Sequence, residues 1–223
     1  MNSRSTDRCS APGLRLWPRG ARLRVERLLF FLATLLAADP AWSAGLKLPQ
    51  LWQRDLQTFL ESAPTVADIR GQGRNDIVIA GREELIALDA TGTQLWRWRT
   101  KGRFMTYPAV LARPGQPSLI YAADNSGLLT CLDGGGKEVW HAQLNGPSSW
   151  SASVLCDLNG DGQMAVIQTD EPGTVWAFAA LTGNVLWQAK VKGMPVSPAA
   201  GDLDGDGKSE IVVATGEGIL TAI

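Results

Sequence analysis

Short apolar segments recur along most of the chain, and polar turns rich in Gly, Asp and Asn separate them. In the stretch after Pro64 these segments are residues 65–67, 77–80, 85–88 and 94–99. They are rich in β-branched residues and show little of the periodicity of an amphipathic helix. Runs of this kind are typical of β-strands that are covered on both faces. The pattern therefore predicts an all-β chain made of short strands.

Four tryptophans mark a repeat of these strand groups at spacings of 44, 44 and 47 residues. They are Trp52, Trp96, Trp140 and Trp187, and a glycine lies four residues before each of the last three. Repeats of roughly 40–50 residues with several strands per unit indicate a β-propeller. We therefore predict a propeller of four-stranded blades, with about 44–45 residues per blade, in residues 44–223. Complete blades are predicted at residues 64–99, 108–143 and 153–190, and an incomplete blade at 198–223.

The segment 50–53 is predicted to be a closing strand. Residues 51–53 match residues 186–188, which end the third blade, whereas the fourth unit stops before its own fourth strand. A terminal strand that completes the last blade of a propeller removes exposed sheet edges. The segment could complete unit 198–223 in a four-bladed ring. We expect instead an N-terminal fragment of a ring of about seven or eight blades.

Residues 1–43 have the features of a secretory signal peptide. Seven arginines precede an apolar run at residues 28–38, and the small residues Ala41 and Ser43 are suited to a cleavage site. A membrane anchor is the alternative, but the run is shorter than the about 20 apolar residues that a spanning helix needs. We predict cleavage after Ser43 and export to the periplasm or the extracellular space. No transmembrane segment is predicted in the remaining chain.

The charge balance and the cysteines agree with an exported protein. Without residues 1–43 the chain has 14 basic and 19 acidic residues, a net charge of −5. A mildly acidic chain with no basic cluster offers little to a polyanion, so we expect no nucleic-acid partner. Two cysteines remain, Cys131 and Cys156, which a disulfide in an oxidising compartment could join. Because they fall in different repeat units, we expect two buried, unpaired thiols instead.

The loop at residues 202–210 has the composition of a calcium site. Oxygen donors occupy its positions 1, 3, 5 and 9, and Gly207 at position 6 permits a sharp turn. Four carboxylates so close together would repel one another without a cation. The predicted ligands are Asp202, Asp204, Asp206 and Glu210, with a backbone carbonyl at Lys208. An EF-hand would need an acid at position 12, where Val213 lies in a predicted strand; a turn that binds nothing is the other alternative.

Two other units carry weaker versions of this loop. A second calcium site is predicted at residues 157–165, where Ala165 replaces the acid of position 9, so we expect weaker binding. Its predicted ligands are Asp157, Asn159, Asp161 and, at position 7, Gln163. The loop of the first unit keeps only Asp68 and Asp76, and Arg70 stands at a ligand position. We therefore predict no calcium in that loop.

The phrase that ends each unit resembles a known propeller repeat. Written as A/L-L-D-x-T-G-x-x-L-W, it occurs at residues 87–96 and, with changes, at 131–140 and 178–187. It looks like the tryptophan-docking repeat of pyrroloquinoline-quinone-type (PQQ-like) propellers, and the Asp-rich loops resemble the FG-GAP/VCBS repeats of integrin-type propellers. The resemblance covers about residues 50–223 and implies that each tryptophan packs against a neighbouring blade. Sugar stacking on exposed tryptophans, namely Trp98, Trp150 or Trp176, is the alternative.

Few residues suited to catalysis are present. His141 is the one histidine of the chain, and no Gly-x-Ser-x-Gly nucleophile elbow occurs. A quinoprotein dehydrogenase would share the tryptophan phrase, but its family is expected to have a complete ring, a cofactor on its axis and often an adjacent Cys–Cys pair. No such pair is found in the sequence. We therefore predict a protein that is not an enzyme.

These observations predict an exported, calcium-binding β-propeller that acts as a non-catalytic binding or scaffolding module. Calcium is the expected cofactor, and a protein or a polysaccharide is the expected ligand. Two alternatives remain open. The first is a truncated PQQ-dependent quinoprotein oxidoreductase. The second is an envelope assembly factor that resembles the propeller lipoprotein of outer-membrane β-barrel assembly, although a lipidation cysteine is missing after the apolar run.

Overall fold

Consecutive strands pair into four antiparallel sheets in the computed structural model, which describes residues 49–223. Three sheets have four strands and one has three, and the strand order in every sheet is the order along the chain. The strands are β1 Thr65–Ala67, β2 Asp76–Ala80, β3 Glu84–Leu88, β4 Gln94–Arg99, β5 Ala109–Arg113, β6 Gln116–Ala123, β7 Leu128–Asp133, β8 Glu138–Gln143, β9 Val154–Asp157, β10 Met164–Thr169, β11 Thr174–Ala179, β12 Val185–Lys190, β13 Ala199–Gly201, β14 Glu210–Ala214 and β15 Leu220–Ala222. Blades 1, 2, 3 and 4 are the sheets β1–β4, β5–β8, β9–β12 and β13–β15.

The blades meet at their first strands. β1 contacts β5, β5 contacts β9, and β9 contacts β13. The fourth strands lie at the other edge, where β8 and β12 show the same alternation of exposed and half-buried residues. Blades that join at the first strand and expose the fourth are the arrangement of a β-propeller. The predicted fold class, an all-β propeller with four-stranded blades, is confirmed.

A β-bulge recurs at one place in blades 1, 2 and 3. The third strand shifts its register against the fourth after Ala87, after Cys131 and after Ala177. These residues pair with Trp96, Trp140 and Trp187, respectively. A bulge increases the local twist and changes the direction of nearby side chains. The repeated tryptophan therefore lies beside a repeated distortion of the sheet.

Apolar side chains fill the spaces between neighbouring blades. One cluster contains Val78 and Leu85 of blade 1 with Ile120 and Leu132 of blade 2, all fully buried. Corresponding clusters join blade 2 to blade 3 and blade 3 to blade 4. Burial of one large aliphatic side chain contributes about 1.5–3 kcal/mol. The apolar runs of the sequence are thus covered on both faces, and contacts between blades supply much of the stability.

The segment before blade 1 differs from the expectation. Residues 51–53 form no strand, and they join none of the sheets of the described chain. Trp52 and Leu56 instead pack against Ile79, Ile86 and Leu88 of blade 1. Removal of this apolar face from water explains the position of the segment. The closing strand expected at residues 50–53 is therefore not formed here, and closure of a ring by this segment stays a prediction.

Three other expectations concern the chain as a whole. The predicted signal peptide, residues 1–43, lies outside the described residues. Within those residues, no helix is long and apolar enough to cross a membrane. Cys131 and Cys156 are buried and unpaired, as expected. Burial raises the pKa of the Cys131 thiol to about 12 and that of Cys156 to about 11, so both are protonated at neutral pH.

Candidate functional site

Indole N–H groups join the segment before blade 1 to blade 1, blade 1 to blade 2, and blade 2 to blade 3. A tryptophan at the end of one unit donates a hydrogen bond to a backbone carbonyl in the turn between the third and fourth strands of the following blade. The pairs and their N···O distances are Trp52 to Ala90, 2.9 Å; Trp96 to Gly134, 3.0 Å; and Trp140 to Ala180, 2.9 Å. We name this contact the tryptophan clasp.

A glycine lies in close contact with each clasped indole ring, and we call it the glycine seat of that ring. A Cβ added to Gly92, Gly136 or Gly183 would approach the ring of Trp52, Trp96 or Trp140 to 2.9, 2.7 and 2.6 Å, respectively. All three glycines also have a positive φ, which disfavours a side chain independently. In each G-x-x-x-W phrase, the glycine is the seat for the tryptophan of the preceding unit. The tryptophan of the same phrase belongs to the blade that contains this glycine. The prediction that the repeated tryptophans pack against a neighbouring blade is confirmed for these rings.

Three of the predicted calcium ligands come together at the edge of blade 4. Carboxylate oxygens of Asp202, Asp204 and Glu210 lie within 4.8 Å of one another. Glu210 begins β14 and pairs with Gly201 of β13, so a strand fixes one side of the group. Asp202 and Asp204 are exposed on the connecting loop. The arrangement offers oxygen donors of the kind that hard cations prefer.

Asp206 and Lys208 are arranged differently from the expectation. The Lys208 ammonium donates a hydrogen bond to Asp206 Oδ2 at 3.1 Å, and the Lys208 backbone N–H donates to Asp206 Oδ1 at 2.9 Å. Both contacts, the backbone one first, lower the pKa of the Asp206 carboxyl, and the carboxylate raises the pKa of Lys208. Both side chains are exposed, so the ion pair is weak. The Asp206 carboxylate is therefore paired with Lys208 and is not among the three clustered carboxylates.

The first aspartate of each Asp-rich loop shapes that loop through its carboxylate. It accepts a hydrogen bond from the backbone N–H five residues further on in all three loops. The pairs are Asp68 with Gly73, Asp157 with Gly162 and Asp202 with Gly207, at 2.6, 2.6 and 3.0 Å. Backbone hydrogen bonds lower the pKa of the Asp157 carboxyl, the one from Gly162 contributing most. This role needs no metal, and it explains why Asp68 is present in a loop that lacks the other ligands.

The loop of blade 3 brings together fewer acids than that of blade 4. Asp161 accepts hydrogen bonds from the backbone N–H of Gln163 at 2.8 Å and from its side-chain amide at 3.3 Å. The Asn159 backbone N–H donates to Asp157 at 3.2 Å. Ala165, at the position of Glu210, is buried. The predicted second site is thus left with two carboxylates.

A cationic side chain takes part in the corresponding loop of blade 1. The Arg70 guanidinium donates to both carboxylate oxygens of Asp76, at 3.0 and 2.8 Å, and Asp76 is fully buried. The hydrogen bonds to Asp76 raise the pKa of Arg70, with smaller effects from the charges of Asp89 and Asp68. Arg70 occupies position 3 and Asp76 position 9, the positions of Asp204 and Glu210. Sequence reasoning treated Arg70 only as a lost ligand and missed this pairing.

His141 does not form part of a catalytic arrangement with the residues described here. It is exposed, and its Nδ1 lies 2.7 Å from Glu138 Oε1 on the same strand. The buried thiols of Cys131 and Cys156 have raised pKa values and are not activated nucleophiles. These observations give no support to nucleophilic catalysis in this part of the chain.

Solved structures share the fold of this chain. BamB from Moraxella catarrhalis is similar with a TM-score of 0.58 at 20% identity, over 78% of this chain and 49% of that one. The computationally designed Ika4 protein gives 0.57 at 12% identity, over 79% and 98%. BBS1N in complex with ARL6DN gives 0.54 at 16% identity, over 77% and 54%. The chain thus spans about half the length of the BamB structure that it matches.

The comparison with protein families gives a more specific result. No curated protein matches the chain significantly. A family model of PQQ-like repeats, described as outer membrane protein assembly factor BamB, matches residues 83–223. The match confirms the PQQ-like repeats predicted from the tryptophan phrase, whereas the FG-GAP/VCBS resemblance stays a prediction. Since the matched residues are more than half of the chain, the protein belongs to the family of the outer membrane protein assembly factor BamB.

Proposed function

We propose that this protein is an exported β-propeller that serves as a non-catalytic scaffold in outer-membrane protein assembly. The observation that carries the proposal is the family match over residues 83–223, because that family is described as an assembly factor and not as an enzyme. Among the functions considered from the sequence, the match favours the envelope assembly factor. Such a role requires export, which the composition of residues 1–43 supports.

A protein is the ligand that best suits this scaffold. BBS1N, whose fold is similar, was solved in complex with ARL6DN, so a propeller of this kind is able to hold a protein partner. The turns between the strands are mostly exposed and are held by rigid blades, which is typical of binding surfaces. Of the tryptophans considered for sugar stacking, Trp176 is buried and donates a hydrogen bond to Asp170 Oδ2 at 2.8 Å, which weighs against a polysaccharide there. Trp150 is 53% exposed, so sugar stacking on that ring stays a prediction.

We propose in addition that calcium stiffens the loop of blade 4. Support comes from the oxygen donors of Asp202, Asp204 and Glu210, which lie within 4.8 Å of one another. Further support comes from blade 1, where Arg70, at the position of Asp204, supplies a positive charge to Asp76, at the position of Glu210. The loop of blade 3, with Asp157 and Asp161, is proposed as a weaker site.

Deletion of the gene from its host tests the scaffold role. We expect lower amounts of folded outer-membrane β-barrel proteins, measured by their heat-dependent mobility on gels, and recovery when the unaltered gene is returned. Unchanged amounts would contradict the proposal. If the purified protein also reduced a dye in a PQQ-dependent manner, the quinoprotein alternative would replace it.

A further inference from the structure

A cleft opens between blades 2 and 3 on the edge of the propeller that carries the Asp-rich loops. Its volume is about 620 Å³, within the range of roughly 300–1,000 Å³ that is usual for ligand sites. The apolar residues that line it include Leu111, Leu158, Met164, Leu181 and Leu186. Leu181 and Leu186 are 59% and 52% exposed, so the cleft presents a contiguous apolar surface to solvent.

The cleft exists because blade 2 has a short turn where its neighbours have a long loop. In blade 2, Arg113 of β5 pairs directly with Gln116 of β6, so the turn between them has two residues. In blade 1 the corresponding loop is long enough to reach across to blade 2. There the backbone carbonyl of Ile69 accepts a hydrogen bond from Ser118 N–H at 2.8 Å, and Ile69 is fully buried. Blade 2 extends no such loop towards blade 3.

Strand register shows which position is left open on blade 3. On blade 2 the chain at Ile69 lies against Ser118 and Gly134; a Cβ on Gly134 would collide with the Ile69 carbonyl. By register, Ser118 and Gly134 correspond to Met164 and Ala180 of blade 3. Met164 and Ala180 both line the cleft. On blade 2 the Ile69 carbonyl meets Ser118 and Gly134, while the Ile69 side chain is in the buried cluster that includes Ile120 and Leu132. The cleft therefore lies at the position on blade 3 that corresponds to this contact.

We propose that this cleft is a docking site for a partner polypeptide that inserts a branched aliphatic side chain, as Ile69 does on blade 2. The apolar cluster between blades 2 and 3 includes Leu111 and Met164 at its margin. An inserted aliphatic side chain would therefore extend an interface that already exists. The inference deepens the proposed scaffold role and rests on it only for the kind of partner.

The polar rim of the cleft adds a charge preference. Asp161 is exposed there, while the guanidinium of Arg113 donates to the backbone carbonyl of Pro117 and is engaged. Arg113 keeps its positive charge in that bond, so a basic residue beside the aliphatic one would complement the rim on the side of Asp161. Ile69 itself is followed by Arg70, so the loop of blade 1 has both features.

A cyclic peptide with the sequence of residues 66–77 is a direct probe, because it contains the loop that fills the equivalent position. We expect saturable methyl shifts of Leu158 and Met164 when the peptide is added to the full, methyl-labelled chain, with a dissociation constant below about 1 mM. Leu186→Ser and Leu181→Glu should each weaken binding at least about tenfold, about 1.4 kcal/mol. The same peptide with aspartate in place of Ile69 should not bind.

Val139→Ser is the matched control. Val139 precedes Trp140 on β8 as Leu186 precedes Trp187 on β12, and it is 47% exposed but does not line the cleft. This variant should bind the peptide like the unaltered chain. The docking site would be overturned if the methyl shifts did not saturate. It would also be overturned if Leu186→Ser and Leu181→Glu left the binding of the peptide unchanged. The measurement needs no host function, so a negative result together with a positive gene-deletion result would reject the cleft and retain the scaffold role.

Discussion

At the scale of single residues, the Asp-rich loops differ in what balances their carboxylates. In blade 1, the charge of the buried Asp76 is balanced by the half-buried Arg70. In blade 4, Lys208 forms its ion pair with Asp206 and not with the group of Asp202, Asp204 and Glu210. Three close carboxylates repel one another, and an added divalent cation would relieve that repulsion. The proposed calcium site therefore depends on two exposed aspartates and the half-buried Glu210.

Calcium is expected to raise the melting temperature, and chelation to lower it, because a ligand that binds only the folded state stabilises it. The stabilisation is about 2.7 kcal/mol at one hundred times the dissociation constant. Asp204→Ala should remove most of this response. Lys208→Ala should strengthen it, since the backbone carbonyl remains and Asp206 is released from its ion pair. An equal melting temperature of the unaltered chain with calcium and with EDTA would disprove the site.

The Asp157 carboxylate gives a pH dependence of known sign. Backbone hydrogen bonds, first that of Gly162, lower its pKa in the folded chain. Its contribution to stability is therefore complete above the pKa of the unfolded chain and is lost as the pH falls through the folded pKa. Asp157→Asn should lower the melting temperature at pH 7 in EDTA, and the difference from the unaltered chain should shrink below about pH 4. A difference that grows in acid would contradict this assignment.

At the scale of the β-strand and the turn, the tryptophan clasp is the unit that joins blades. Each clasp combines an indole hydrogen bond with a glycine seat, and the seat lies in the turn that precedes the next tryptophan. A single phrase therefore serves two interfaces. For this reason the phrase is repeated more strictly than the Asp-rich loops, whose first aspartate alone has a structural role in every copy.

Trp140→Ala is expected to cost about 3–5 kcal/mol of unfolding free energy, measured by denaturant titration.

Gly183→Ala should lower the free energy of unfolding more than Gly115→Ala does. Their φ values are 73° and 72°, but only at Gly183 would the new Cβ meet the Trp140 ring. In the Trp140→Ala background, the cost of Gly183→Ala should fall to that of Gly115→Ala, about 1–2 kcal/mol. Purely additive costs would show that the seat and the ring do not interact.

Elements whose contacts are between neighbouring segments of the chain could be predicted from the sequence, whereas those that depend on side-chain direction or on a missing loop could not. The strands of each blade pair with their neighbours along the chain, and the tryptophan phrase repeats, so the propeller could be predicted. The pairing of Arg70 with Asp76, and of Lys208 with Asp206, depends on side-chain directions that spacing alone does not determine. The cleft between blades 2 and 3 could not be predicted, because it results from a loop that blade 2 does not have.

At the scale of the whole molecule, the blades are covered unequally. The second residue of the Asp-rich loop is fully buried in blade 1, where Ile69 contacts blade 2. The corresponding residue of blade 3, Leu158, packs in the cluster between blades 3 and 4. In blade 4 the corresponding Leu203 is 62% exposed, and Leu220 of β15 is 71% exposed. One face of blade 4 is thus in contact with solvent in the described structure.

Hydrogen exchange should reveal this difference in coverage. Amides of β14 and β15 should exchange faster than those of β6, β7, β10 and β11, because local opening is easier where fewer apolar contacts must be broken. Exchange monitored by mass spectrometry on peptic fragments measures the gradient. Equal protection of blade 4 and blade 2 would show that another part of the chain covers the exposed face.

The direction of the tryptophan clasp has a consequence for synthesis of the chain. The strands of a blade pair with their immediate neighbours, so a blade is able to form soon after it leaves the ribosome. Each tryptophan, however, bonds to a carbonyl 38 or 40 residues further on. At about 5–20 residues per second, it waits roughly 2–8 s for the seat to be made. We therefore expect the newest blade to present an unclasped indole during synthesis, and the propeller to assemble from its N-terminal blade onwards.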